Sequence, residues 1–254
     1  MGKIISIVNQ KGGVGKTTTA INLSNALGEN GKKVLLVDID PQGNSTSGLG
    51  FNKKELERSS YHLLMGLSEA EEIIKKTKFK NLYLLPADMN LAGAELELVD
   101  TQNRESRLKI GLEKIKGDFD FIFLDCPPSL GLITLNALTV SDSFLVPIQC
   151  EYYALEGLSQ LMTTVRTVRK LYNPSLDIEG VLLTMYDSRL NLTRMVVEEV
   201  KRFFPKKVFS TVIPRNVRLS EAPSFGLPIC EYDKSSTGAQ AYMNLATEFI
   251  KNNN

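Results

Sequence analysis

The sequence predicts an α/β fold: a single domain built on a twisted, mainly parallel β-sheet with helices on both faces. Three observations carry that expectation. Apolar runs of strand length alternate with amphipathic helical patterns along all 254 residues. The runs are apolar throughout rather than on alternate positions, as strands covered by helices on both sides must be. No repeat, low-complexity segment or Pro/Gly/Ser linker interrupts the alternation, so residues 1–254 read as one domain.

Taken in order, residues 3–9 form a strand and 17–29 a helix, then 33–38 a strand and 53–77 a helical stretch. A strand at 82–86 is followed by helices at 90–99 and 103–116, and a strand at 119–125 by a helix at 131–141. The last three strands, at 144–149, 178–185 and 208–213, precede helices at 155–172, 190–204 and 238–251. In such sheets ligands sit beyond the carboxyl ends of the strands. Six strand ends open there into polar or Gly/Pro loops, at 9–17, 38–44, 125–129, 149–153, 186–189 and 214–221. Their convergence on one rim says more than any single loop.

Composition narrows the function classes. A hydrophobic content of 43% is ample for a buried core. No charged-then-apolar leader opens the chain, and no apolar run approaches the roughly twenty residues of a membrane span. Cys126, Cys150 and Cys230 share no metal-type or redox spacing, which fits unpaired thiols in a reducing cytoplasm. The one histidine, His62, leaves no serine triad or histidine-metal chemistry and is most simply a surface residue. Net charge is +1, yet residues 160–218 hold eleven Lys/Arg against five Asp/Glu. That local basic excess suits an anionic partner, or simply a solvated helix face.

The chemistry concentrates in Asn9-Gln10-Lys11-Gly12-Gly13-Val14-Gly15-Lys16-Thr17-Thr18-Thr19. An apolar strand precedes this glycine-rich turn and a helix follows it. Glycines let backbone N–H groups converge on an anion, the helix N-terminus adds partial positive charge, and Lys16 adds a full one. Thr17 is placed to put its hydroxyl on Mg²⁺. The strict P-loop glycine is replaced by Gln10, and a second lysine, Lys11, stands at the start of the loop. Downstream, Asp38 and Asp40 at a strand end point the same way, one able to help hold hydrated Mg²⁺ and the other to orient an attacking water. The apolar run 119–125 ends in Asp125, the pattern of a Mg²⁺-binding carboxylate.

The run Lys11-Gly12-Gly13-Val14-Gly15-Lys16-Thr17-Thr18 resembles the deviant Walker A motif of the ParA/Soj/MinD ATPases, and the resemblance spans nearly all of residues 3–240. It is closest to the chromosomal ParA/Soj branch. The resemblance implies a slow ATPase with ATP and Mg²⁺ as cofactors, whose two copies sandwich two nucleotides. Lys11 would then reach the partner's phosphates and Glu151 would lie near the partner's nucleotide. Asp40 would be the residue hydrolysis depends on, and Asp38 would support the metal. Gln42 and Gly43 would lie in the first switch, Cys126-Pro127-Pro128-Ser129-Leu130-Gly131 in the second, and Pro214 and Asn216 at the base.

Resemblance to Soj-like proteins further implies duplex-DNA binding without sequence preference, through Arg189 and Arg218, when ATP holds the homodimer together. Lys201, Arg202, Lys206 and Lys207 extend the same basic region or serve only as positive charge at a helix end. A ParB-type, centromere-bound partner would stimulate hydrolysis, and the protein would be cytoplasmic and nucleoid-associated. A MinD-like membrane cycler would end in a basic amphipathic helix; here the end is Phe249-Ile250-Lys251-Asn252-Asn253-Asn254. A nitrogenase-type iron protein would need cluster cysteines, and the chain has none before Cys126. A small-molecule kinase or ligase on the same scaffold stays open at this stage.

Overall fold

The computed structural model describes residues 2–151 and 154–253. Its strands are β1 (Lys3–Ile7), β2 (Val34–Asp38), β3 (Lys75–Lys76), β4 (Leu82–Leu85), β5 (Phe121–Asp125), β6 (Ser143–Gln149) and β7 (Asp177–Thr184). The first six α-helices are α1 (Lys16–Glu29), α2 (Asn44–Gly48), α3 (Ser60–Met65), α4 (Ala70–Ile73), α5 (Leu91–Glu97) and α6 (Arg107–Leu112). The remainder are α7 (Leu132–Val140), α8 (Ala154–Leu171), α9 (Asn191–Phe203), α10 (Val217–Glu221), α11 (Ile229–Tyr232) and α12 (Thr237–Asn252). The strands make one seven-stranded sheet in the order β3-β4-β2-β5-β1-β6-β7. Every pairing is parallel except β3 with β4 at the edge.

The absence of alternation in the strand sequences has its cause in this sheet. Along β5, Ile122 and Leu124 pack into one core layer while Phe121 and Phe123 pack into the other. Along β2, Leu35 and Val37 face the first layer, and Val34 and Leu36 the second. The first layer is completed by α3 to α9, the second chiefly by α1 and α12. With both faces covered, each apolar strand residue removes its side chain from water, roughly 1.5–3 kcal/mol apiece for a Val, Leu, Ile or Phe. Because the strands are parallel, their carboxyl ends open on one rim, as expected.

Three expectations need correction. The stretch 53–77 is not one helix: Gly66, at φ 73°, ends α3 in a left-handed turn. Lys75 and Lys76 then pair antiparallel with β4. Residues 208–213 do not form a strand. The backbone N–H groups of Ser210 and Thr211 donate to the Glu248 carboxylate (2.7 and 2.9 Å) instead of a ladder, leaving isolated bridges at Val208 and Pro214. His62 is half-buried rather than on the surface, and its ring Nδ1 accepts from Ser59 N–H (3.1 Å) in a capping box that starts α3. Tyr152 and Tyr153 of the predicted 149–153 loop, and Asn254 of the tail, lie outside the described residues.

Candidate functional site

The loop between β1 and α1 is held from both sides. Asn9 donates its side-chain N–H to Pro147 O (2.7 Å) and accepts from Lys11 N–H at Oδ1 (3.0 Å). Thr184 Oγ1, at the end of β7, donates to Val14 O (2.9 Å). Gly13 and Gly15 sit at φ 73° and 86°, a region glycine enters without strain. Gly15 is also the cap residue of α1, and no side chain caps the helix there. The N–H groups of the first turn therefore face the rim, with the positive end of a 14-residue helix behind them.

Lys16 is 6% exposed and donates through Nζ to Lys11 O (3.1 Å). Burial pushes its ammonium pKa down, while Asp125 and Asp40 nearby oppose the shift. Lys11 points the other way: Nζ pairs with Glu151 (2.9 Å) on the open side of the loop. Two lysines five residues apart thus occupy different environments, one buried among carboxylates and one at the surface.

The carboxylates come together through sheet register. Asp38 and Asp125 end β2 and β5 as directly paired residues, both fully buried. Asp38 is engaged at both oxygens: Oδ2 accepts from Thr46 N–H (2.8 Å) and Oγ1 (2.7 Å), and Oδ1 accepts from Asp40 N–H (3.2 Å). Asp125 Oδ2 accepts from Ser45 Oγ (2.7 Å), whereas the buried Oδ1 has no partner. Asp40 Oδ1 accepts from Gln42 N–H (2.9 Å), so this carboxylate also shapes the turn that follows it. Burial raises the pKa of Asp38 and of Asp125; their mutual repulsion adds to the rise at Asp38, while the Ser45 and Thr17 hydroxyls oppose it at Asp125.

The donor set fits a hydrated Mg²⁺ shared with phosphates: the hydroxyl of Thr17 and the unpartnered oxygen of Asp125. Mg²⁺ keeps several waters and uses few protein ligands. Among the described residues no group of three or more His, Cys, Asp or Glu side chains forms a metal cage. Two buried carboxyls also bear on stability without metal. A carboxyl whose folded pKa lies above its ordinary 3.8 binds more protons folded than unfolded, so stability falls as pH rises past that value. Asp125→Asn should therefore raise the thermal midpoint of the protein in EDTA at pH 8 by roughly 2–6 °C, and leave it little changed near pH 3. Calorimetry at the two pH values checks this.

Beside Gly15 and Thr18 lies a cavity of about 370 Å³, whose walls include Met185, Pro214, Asn216 and Tyr242. Asn216 donates to Thr237 Oγ1 (2.7 Å), and its buried Oδ1 has no partner. The two predicted base-contact residues are therefore next to the loop. The DNA candidates are elsewhere and less free than expected. Arg189 is 86% exposed but forms a two-point pair with Asp187, whose carboxyl is pulled down to about 2 by that guanidinium. Arg218 pairs with Glu221 (2.9 Å) and Asp233 (3.6 Å). Arg202 pairs with Glu199 and Lys207 with Asp177, and Lys201 and Arg202 sit in the last turn of α9. Cys126, Cys150 and Cys230 are free, and burial pushes every one of these thiols up, away from the reactive thiolate.

Sequence reasoning did not single out Ser45 or Thr46. Both are fully buried, and they bind the two carboxylates that end neighbouring strands. The signal that could have found them is position, since each directly follows the Asp38–Asn44 turn.

A parallel sheet, a glycine loop opening a helix, a buried lysine and carboxylates at adjacent strand ends define an α/β P-loop nucleoside-triphosphatase fold. Residues 2–178 match the family model described as an AAA domain. The chain is 61% identical to the sporulation initiation inhibitor protein Soj of Bacillus subtilis, over 99% of its own length and all of that protein's. It is 52% identical to the chromosome partitioning protein ParA of Myxococcus xanthus, covering 99% of this chain and 89% of that one. Among solved structures it superposes, at a TM-score of 0.87 and 39% identity, on cobyrinic acid a,c-diamide synthase of Mycobacterium smegmatis with bound ADP and magnesium, covering 99% and 95% of the two chains. The chain belongs to the Soj/ParA family of chromosome-partitioning ATPases.

Proposed function

We propose that residues 1–254 act as one ATP-switched unit: Mg-ATP pairs two copies face to face, the pair binds duplex DNA without sequence preference, and hydrolysis releases it. The observation that carries this reading is a division of labour in the glycine loop. Lys16 already supplies the buried charge beside the carboxylates, so Lys11, on the open side, has no phosphate of its own chain to serve. Gly12 has no neighbour within 4 Å of the position a Cβ would take, and its φ lies outside the left-handed region. Nothing within the chain requires glycine there; close approach of a second copy's loop does.

In this reading the loop N–H groups and Lys16 bind the phosphates, Thr17 and Asp125 hold Mg²⁺, and Asp38 fixes the strand ends through Thr46. The cavity walled by Pro214 and Asn216 takes the adenine. The ion supplies charge stabilisation on the phosphates. Asp40 orients the attacking water, and because a single carboxylate does so with no strong built-in base, unstimulated turnover is slow. Lys11 exchanges its contact with Glu151 for the partner's phosphates. That exposed ion pair is worth at most about 1 kcal/mol, so exchange is cheap.

Arg189 and Arg218 contact DNA phosphates once pairing aligns two copies of the basic region. Their present acidic partners, Asp187 and Glu221, hold them at the surface in defined poses. A ParB-type protein stimulates hydrolysis, as the relatives' chromosome-partitioning names suggest. In this reading the protein works in the cytoplasm, on the nucleoid. No helix among the described residues is long and apolar enough to cross a bilayer. In α12 the apolar side chains of Leu245, Ala246 and Phe249 are buried in the core, so they are turned inward rather than toward a membrane surface.

Gly12→Val tests the reading. The variant should bind ATP with the affinity of wild type yet sediment as a monomer with ATP, where wild type or a slow-turnover variant sediments as a dimer. A normal ATP-dependent dimer in Gly12→Val would remove the face-to-face arrangement.

A further inference from the structure

Ten residues after Gly43 the chain returns over the turn that carries Asp40. Residues Lys53–Glu55 form a short 3₁₀ turn capped by Asn52, whose side-chain oxygen accepts from Lys54 N–H (3.1 Å). Phe51, just before it, packs against the core layer of α1 and α12. From this fixed base Lys53 reaches back, and its Nζ donates to Gln42 O (2.6 Å). Its stem lies so close over Gly43 that a Cβ there would stand 2.6 Å from Lys53 Cδ and 3.1 Å from Ala87 O. Glycine at position 43, with φ 59°, thus serves the left-handed turn and leaves room for the lysine.

The partner of this lysine is informative. Glu55 and Glu57 stand exposed two and four residues on, yet among the described residues Lys53 forms no ion pair. A long, half-buried side chain gives up its rotamer freedom for one backbone carbonyl. That carbonyl belongs to the residue whose N–H donates to Asp40 Oδ1 (2.9 Å). Gln42 is therefore held at both ends, by Asp40 on its N–H and by Lys53 on its C=O. Gly43 N–H closes the same turn on Asp40 O (2.8 Å). Beyond the turn α2 has ties of its own, Ser45 to Asp125 and Thr46 to Asp38, which do not involve Lys53.

We propose that Lys53 is a positioning residue for hydrolysis: by fixing Gln42 C=O it sets the direction of Gln42 N–H, and so the pose in which the Asp40 carboxylate meets the attacking water. The proposal rests on the reading of Asp40 given above. A hydrogen bond from an ammonium to a carbonyl is stronger than a neutral one, so it holds the turn more tightly than a serine or asparagine would. A small misplacement of Asp40 costs rate without costing affinity, because the phosphates are bound elsewhere in the site, by Lys16 and the loop N–H groups.

Lys53→Met keeps an apolar stem over Gly43 and removes the charge and the donor. In the full chain with Mg-ATP, kcat should fall by about tenfold while KM and the calorimetric affinity and stoichiometry for ATP stay at wild-type values. A raised KM or weaker ATP binding would make Lys53 a nucleotide contact and overturn the positioning role. An unchanged kcat would overturn it too. Coupling to Asp40 gives a second readout, from single-turnover hydrolysis by Asp40→Ala and by Asp40→Ala carrying Lys53→Met. The two should turn over equally slowly, because the lysine has no carboxylate left to position. A further loss of similar size in the double variant would put Lys53 to work elsewhere in the site and overturn the proposal. If Asp40→Ala alone turns over like wild type, the reading of Asp40 falls and the proposal with it. If Asp40→Ala is slow and Lys53→Met is not, Asp40 stands and only the role of the lysine falls.

Discussion

Lys16→Ala should leave no ATP binding detectable by calorimetry at micromolar protein, a loss of at least about a hundredfold in affinity. Truncating one member of a buried charge contact costs on the order of 2–5 kcal/mol, most of it from the charge left behind. Here that residue is large. Lys16 is the buried cation beside Asp125 and Asp40, and without it triphosphate would enter a rim whose nearest charges are carboxylates. The helix N-terminus remains, but its contribution is that of partial charge. The fold should survive, because α1 also anchors itself through Ala20, Leu23 and Leu27 in the core, and circular dichroism separates lost binding from lost structure. Binding at wild-type affinity would remove Lys16 from the phosphate role.

Asp40→Ala should behave differently: ATP binds, and turnover falls by on the order of a hundredfold or more, the scale of one positioned acid–base group. Asp40 is 7% exposed and sits between the Asp38 carboxylate and the turn it shapes through Gln42 N–H. Its loss frees that turn and removes the carboxylate we propose to orient the attacking water, yet takes nothing from Lys16 or from the loop N–H groups. The ATP-paired form should accumulate. Single-turnover hydrolysis alongside equilibrium binding checks both halves, and a variant turning over at wild-type rate would assign the water to another residue.

The parts of the molecule legible from sequence are those where one residue type has one use. The uninterrupted apolar run Phe121–Asp125, bounded by polar loops and too short for a helix of ordinary length, reads as a strand buried on both faces, and the two core layers split along it accordingly. The glycine loop was legible because Gly13 and Gly15 occupy backbone conformations other residues avoid. Where side chains divert the backbone, the sequence was silent. Nothing near residue 210 announces that Glu248, nearly forty positions on, takes the N–H groups a strand would have used. Ser45 and Thr46 were hidden in a similar way. A serine and a threonine after a turn are ordinary, and become site residues only once β2 and β5 lie side by side with Asp38 opposite Asp125. The ion pairs at Arg189 and Arg218 were also out of reach, although Asp187 and Glu221 stand only two and three residues away.

The most direct test of the central claim, a DNA clamp closed by ATP, is duplex-DNA binding by Asp40→Ala with ATP and with ADP in parallel, across a salt series. Tight binding with ATP alone, weakening steeply with salt and losing slope in Arg189→Ala and Arg218→Ala, is the predicted result. Equal binding in both nucleotide states, or none in either, would contradict it.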